Sequence, residues 1–476
     1  MIPRSVFDAV GGLSEEFAPG YYEDTDLCFK VRAAGHRVVV QPAASVLHHE
    51  GASAGTDVEG DGMKRFQKIN HRRFLDKWRP VLASHAPTAT APEREAERGV
   101  TRRALFIDDR IPTPDQDAGS VAAVAHMRAL QRLGYQVTQV GAEMDRLEPY
   151  TTDLERIGIR CLYAPFCPTV EQAIRSAQVA YDLIYLHRLG NASAYLPMVR
   201  ARFPKARIVY GLADLHALRA ERERELGLGE GTRDSIAALR RLELATMAAA
   251  DHVITHSTHE AALLAAQTQT PVSVVAWPVE RAAEVPQWRQ RSGLVFVGGY
   301  RHPPNVDAAE WLVGSIMPLV WQSRPDITLD LIGSHAPAEV LRLAGPRVRV
   351  RGHVADLDAA LAAARLSVAP LRYGAGVKGK VLSSLACGIP CVMTPAAAEG
   401  LDLPAPLAAL VGSTPAELAA LIVDLYDDEG RCFDLAQAGF DLLDDSFSES
   451  RIDAAMREAV EAPLAPAMTD EREKST

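Results

Sequence analysis

Cysteine is scarce and unpaired. Six residues, Cys28, Cys161, Cys167, Cys387, Cys391 and Cys432, show no C-x-x-C spacing, so neither a zinc site nor a disulfide framework is signalled. Long apolar runs are missing too: none reaches the length of a membrane span, and the opening MIPRSVFDAVGG lacks the basic-then-apolar layout of a signal peptide. The expected compartment is the cytoplasm. Basic residues fall short of acidic ones, 51 against 61, for a net charge of −10, which argues against general nucleic-acid binding because phosphate contacts need basic surfaces. The basic stretch KRFQKINHRRFLDKWR is a local exception; it suits either a solvated helix face or peripheral contact with an anionic membrane, at the inner face if so.

What is present is ordinary globular material. With 476 residues, 47% hydrophobic and 24% charged, the chain has enough apolar content for about two to four domains. Composition divides it into residues 1–82, a linker at 83–102 rich in Ala, Pro and charge (ASHAPTATAPEREAERG), residues 103–285, residues 286–461, and an expected disordered tail at 462–476. In 103–285 the β-rich runs ALFID, QVTQV, LIYLH, RIVYG and HVITHS alternate with helical patterns such as Ser120–Leu133. In 286–461 LVFVGG, LDLIGS, VRVRGHV, LSVAPL and PCVMT repeat the scheme. Strands alternating with helices predict parallel sheets, hence an α/β protein with two tandem Rossmann-like domains and a ligand cleft between them.

The richest stretch is APLRYGAGVKGKVLSSLACGIPCVMTP. A strand is expected to end at Leu371, a loop with Gly374, Gly376 and Gly379 follows, and an apolar helix runs to a glycine stop at Gly388. Small residues admit a ligand close to the backbone, and helix-start amides with Lys378 and Lys380 suit a diphosphate without a metal. Any strand-to-helix turn in an α/β fold also favours glycine, so the loop alone is weak evidence. The stretch resembles the carboxy-terminal donor domain of glycosyltransferase family 4, retaining enzymes of the GT-B fold. FVGGYRHPPNVDAAEWL and AADHVITHSTHE are similar to further segments of that family, and the helix near Phe433–Phe447 to its late crossing helix.

That resemblance implies a nucleoside diphosphate sugar as donor, a glycan or lipid-linked glycan as acceptor, no cofactor, and a place in surface polysaccharide or O-antigen assembly. The implied donor-binding residues are Gly119, Ser120 (read as a helix N-cap), Gly299, Arg301, Asn305, Arg372, Gly376, Lys378, Lys380, Ser383 and Glu399. YGLADLHALRAER resembles a segment of polysaccharide members and implies that Asp214, His216 and Arg219 lie near the reacting groups. Asp214, His216 and Lys378 are the catalytic candidates. Two family glutamates eight positions apart are replaced by Ala375 and Ser383; a serine cannot bridge two ribose hydroxyls as a carboxylate does. The departure keeps two alternatives open, a non-catalytic binding or scaffold protein and a nucleotide-sugar epimerase on the same fold.

FDAVGGLSEEFAPGYYEDTDLCFKVRAAGHRVVVQPAASVLHHEGAS, in contrast, resembles the closing part of glycosyltransferase family 2, inverting enzymes of the GT-A fold. The resemblance implies a small α/β fragment of such a domain with Asp24 as vestigial base, Glu23 beside it, and His48 as ligand of Mg or Mn only if a complete domain exists upstream. From the residues themselves, Leu27, Val31 and Ala34 form a helical stripe ended by Gly35, a strand RVVVQP follows, and Glu23 and Asp24 serve equally as helix N-terminal acids.

Overall fold

The computed structural model describes residues 1–40, 44–47, 60–87, 95, 97–282 and 285–462. It contains two compact units, Met1–Arg98 and Gly99–Thr476.

In the first unit the described residues form the helices Arg4–Ala9, Glu23–Ala33 and Arg65–Leu82 and the short turn Glu15–Phe17. The basic stretch is the long helix, and one of its faces is packed: Asn70 and Phe74 are buried, and Phe29 meets Phe74 edge-on at 5.0 Å. Asn70 Nδ2 donates to the carbonyls of Phe17 at 2.7 Å and Gly20 at 2.9 Å, fixing the loop ahead of the acidic cluster. The fully buried carboxylate is Asp26, which accepts from Ser14 Oγ at 2.5 Å and Trp78 Nε1 at 2.8 Å and pairs with Lys77 at 2.8 Å. Burial opposes its ionisation, but these partners outweigh burial and hold its carboxyl below the usual range. The described part of the strand expected at RVVVQP, 37–40, is irregular, and Val39 and Val40 are 70% and 90% exposed. Alternation of β-branched residues makes a strand only beside a partner, and no other strand occurs among the described residues of this unit.

The second unit is built on two parallel sheets. The first has seven strands in the order β3-β2-β1-β4-β5-β6-β7, with β1 Arg102–Asp108, β2 Tyr135–Gly141, β3 Arg160–Leu162, β4 Leu183–His187, β5 Arg207–Gly211, β6 His252–Thr255 and β7 Val272–Val274. The second has five in the order β10-β9-β8-β11-β12, with β8 Leu294–Val297, β9 Leu329–Ile332, β10 Val348–Gly352, β11 Leu366–Ala369 and β12 Cys391–Met393. Every pairing is parallel, and β4 and β5 are buried along their whole length, as strands covered by helices on both faces must be. Phe106 and Tyr185 stack at 4.6 Å on neighbouring β1 and β4. Strand order reverses between β1 and β4 in one sheet and between β8 and β11 in the other, and ligands of such sheets bind at the carboxyl ends of strands at those points.

The helix Glu429–Ser446 packs on Gly379–Ala386 of the second domain, whereas the final helix, Glu449–Glu461, lies on the first. Arg132 clamps Asp453 through bonds of 2.6 and 2.7 Å, and Arg102 meets Glu461 at 2.8 Å. The chain therefore crosses between domains at Phe447, the end of the segment read as the late crossing helix. No helix of the described residues is long and apolar enough to cross a membrane.

Candidate functional site

The segment after β11 turns through Gly374 and Gly376 into the helix Gly379–Ala386. Gly376 adopts φ +69, and a Cβ there would stand 3.1 Å from the carbonyl oxygen of Ala213 and 3.3 Å from Asp214 Cβ, on the other domain. Only glycine fits both the dihedral and the approach. Lys378 caps the helix with its backbone while its side chain folds back, Nζ donating to the carbonyls of Ala375 at 2.9 Å and Gly376 at 2.5 Å. Lys380, on the first turn, donates to Asn305 Oδ1 and sits 4.8 Å above the Phe296 ring. Asn305 in turn donates to the carbonyl of Gly299 at 2.8 Å, and Gly298 leaves room for its side chain, since a Cβ would lie 2.7 Å from Asn305 Cγ.

The two lysines are poised to gain an anion. Burial lowers Lys378 to about 8 against the pull of Glu399, Glu260 and Asp214. Burial, reinforced by the neighbouring Lys378 charge, lowers Lys380 to about 7. Among the described residues the amides of Gly379 and Lys380 meet no acceptor, as expected for the first positions of a helix. The Gly376 amide is already taken by Glu260, whereas those of Val377 and Lys378, like those of Gly379 and Lys380, meet no acceptor among the described residues.

Across the cleft, the residues after β5 lead into the helix His216–Glu225. Asp214 bonds to Arg219 and lies 3.2 Å from His216 Nε2. Burial would raise its carboxyl, but the His216 bond and the Arg219 charge hold it down to about 2. Glu243 fixes the start of that helix by accepting from the amides of His216 at 2.7 Å and Ala217 at 3.3 Å. Gly119 and Ser120 lie in the first turn of Ala118–Arg132. Ser120 is not the cap: Asp117, in extended backbone, accepts from both the Ser120 amide at 2.8 Å and its hydroxyl at 2.7 Å, a carboxylate being the stronger acceptor. Gly119 lets Arg188 pack close, since a Cβ would sit 2.9 Å from its guanidinium, and Arg188 reaches Asp108 at 2.9 Å. A Cβ on Gly379 would come 3.0 Å from Ala118 Cβ, so the first turns of the two glycine-bearing helices face each other.

Several contacts hold the domains together around these loops. Arg222 donates to the carbonyl of Gly374 at 2.7 Å and to both oxygens of Glu399 at 2.9 and 2.6 Å. Tyr373 donates to Glu223 at 3.1 Å. A ribose hydroxyl approaching Glu399 would share its oxygens with Arg222. Arg372 is engaged by Asp307, and among the described residues the half-buried Ser383 offers a hydroxyl with no hydrogen bond and the exposed Arg301 has no polar partner. Sequence reasoning assigned no role to Arg222, Glu243 or Glu260. Arg222 and Glu260 do lie in the quoted motifs, but nothing local tells what they touch.

In the other unit Asp24 is exposed and accepts from the Thr25 amide at 2.6 Å, while one oxygen of Glu23 is buried without a partner. His48 lies outside the described residues. No group of three or more His, Cys, Asp or Glu side chains suited to a metal occurs among those described.

Two parallel α/β sheets with their strand ends facing one cleft are the GT-B fold, and solved structures agree. Sucrose-phosphate synthase from Thermosynechococcus elongatus superposes with a TM-score of 0.59 at 16% identity, over 75% of this chain and 98% of that one. Anabaena HepE in complex with UDP gives 0.57 at 17% identity, covering 76% and 100%, and its complex with UDP-glucose gives 0.56 at 18% with the same coverage. Residues 291–428, the second domain up to its last helices, match the family model described as Glycosyl transferases group 1. A curated relative, uncharacterized protein y4gI of Sinorhizobium fredii (strain NBRC 101917 / NGR234), is 46% identical over 68 residues; the match spans 14% of this chain and only 8% of that protein.

Proposed function

We propose that the second unit is a glycosyltransferase that moves a sugar from a nucleoside diphosphate donor to a glycan or lipid-linked glycan, in surface polysaccharide or O-antigen assembly. The observation that carries the reading is the paired geometry of the cleft. Free helix-start amides at Gly379 and Lys380, with Lys380 beside them, follow closely on Gly376, which packs against Ala213 and Asp214 of the opposite domain, where Asp214 pairs with His216 and Arg219. Departure of a nucleoside diphosphate builds negative charge on its oxygens, and preorganised donors that meet that charge lower the barrier. In this reading Lys380 and the two amides hold the diphosphate without a metal. Lys378 keeps the glycine loop in shape through its two carbonyl bonds. Asp214 and His216 lie on the side from which sugar and acceptor would approach. UDP is the first donor nucleotide to test, because HepE was solved with UDP and UDP-glucose. Retention of anomeric configuration rests on the family likeness.

A non-catalytic sugar-nucleotide-binding or scaffold role is the second reading. It is favoured by Ala375 and Ser383 in place of two glutamates and by Glu399 held by Arg222. Titration calorimetry with a panel of nucleoside diphosphate sugars, followed by product analysis, separates the possibilities. Binding with sugar transfer or donor hydrolysis supports the transferase. Binding without turnover supports a non-catalytic sugar-nucleotide-binding role, isomerised sugar an epimerase, and no binding to any donor favours the scaffold and sinks the transferase.

A further inference from the structure

We infer that Glu260 is a positioning residue that sets the two halves of the cleft in register through one buried carboxylate; this rests on the nucleotide-sugar reading of the cleft. Glu260 is fully buried near the start of the helix Thr258–Ala265, on the first domain. Its Oε1 accepts two backbone amides at once, Leu215 at 3.0 Å and Gly376 at 2.9 Å. Leu215 stands between Asp214 and His216, whereas Gly376 is the tightest point of the glycine loop on the other domain. The second oxygen, Oε2, is held by the Thr255 hydroxyl at 2.7 Å.

The arrangement is over-determined. Ser257 Oγ caps the Glu260 amide at 3.3 Å, and Gly400, at φ +78, lies so close to Ser257 that a Cβ would fall 2.2 Å from its hydroxyl. Thr258 donates to Asp402 of the second domain at 2.9 Å. Glu260 is therefore fixed from both domains and cannot let go of one loop without freeing a buried amide. A carboxylate oxygen has lone pairs for two donors; an apolar side chain would leave both amides unpaired, which burial makes costly. Displacing either loop would carry Asp214 and His216 away from Lys380 and the Gly379 amide.

The test uses the full chain with Glu260→Gln and Glu260→Ala. Glutamine keeps an oxygen for both amides, and its NH2 group finds an acceptor in the Thr255 hydroxyl. Hydrogen exchange by mass spectrometry should show faster exchange in Glu260→Ala in the peptides holding Leu215 and Gly376 together, with the peptides of β8 and β9 unchanged and Glu260→Gln close to wild type. In calorimetry Glu260→Ala should bind UDP at least tenfold more weakly, with Glu260→Gln within threefold of wild type. Acceleration at only one loop, at neither, or everywhere alike would overturn the inference. So would a Glu260→Ala protein with altered exchange but wild-type UDP affinity. If the wild-type chain binds no UDP, that failure falls on the nucleotide-sugar reading, and the paired exchange alone decides whether the clamp exists.

Discussion

Arg222→Ala removes the strongest polar tie between the two domains of the GT-B unit. Three charge-assisted bonds disappear, at 2.7 Å to Gly374 and at 2.9 and 2.6 Å to Glu399, and the pair is well shielded, with side-chain exposures of 24% and 12%. Opposite charges about 4 Å apart attract by roughly 4 kcal/mol at an effective dielectric near 20. Truncating one member of a buried pair costs about 3–5 kcal/mol, because the remaining charge is left without a partner. Here both groups keep some solvent and His259 stays 3.4 Å from Glu399. The expected loss therefore falls below that scale, at about 2–3 kcal/mol. Urea denaturation of the full chain measures it, and Glu399→Gln together with the double variant completes a cycle. The coupling should be about 1–2 kcal/mol, so that the double variant is less damaged than the two single losses predict. A loss under about 0.5 kcal/mol for Arg222→Ala, the scale of an ordinary surface substitution, or strict additivity would show that the seam does not depend on this pair.

Gly376→Ala should lower the melting temperature by a few degrees, since a left-handed alanine costs about 1–2 kcal/mol before its Cβ meets Ala213 and Asp214; a melting curve unchanged from wild type would contradict the packing. UDP binding should take up protons between pH 7 and 9. Lys380 at about 7 and Lys378 at about 8 are partly neutral when free, and a bound diphosphate raises both, so affinity should already be falling at pH 7 and keep falling as pH rises to 9. Calorimetry in buffers of different ionisation enthalpy reads the uptake directly, and proton release would reverse the sign. Donor binding should survive EDTA, because lysines and helix amides supply the counter-charge; a tenfold loss restored by Mg²⁺ would assign that role to a metal.

Much of the second unit's fold was legible because its strands are buried on both faces, and each of the ten β-rich runs overlaps one of the observed strands. The two strands not anticipated, Arg160–Leu162 and Val272–Val274, are three-residue edges of the first sheet, too short to carry a pattern. RVVVQP has the pattern but no partner strand among the described residues, which no local window reveals. At Ser120 the serine and the true cap, Asp117, are both good capping residues three positions apart, and backbone conformation decided between them. The lysines and glycines of the cleft could be read from their spacing. What they touch could not. Gly376 meets Glu260 across 116 positions, and Arg222 meets Glu399 across 177, so these partners emerge only once the two sheets face each other.

The start of the Gly379–Ala386 helix is where the cleft is expected to hold a nucleoside diphosphate. A crystal structure of the full chain with UDP tests it most directly. The diphosphate is predicted to accept from the Gly379 and Lys380 amides, with Lys380 Nζ turned from Asn305 to a phosphate oxygen and the Asp214–His216 pair facing the place a sugar would occupy. UDP bound away from that helix start, or bound there with Lys380 still on Asn305, would contradict it.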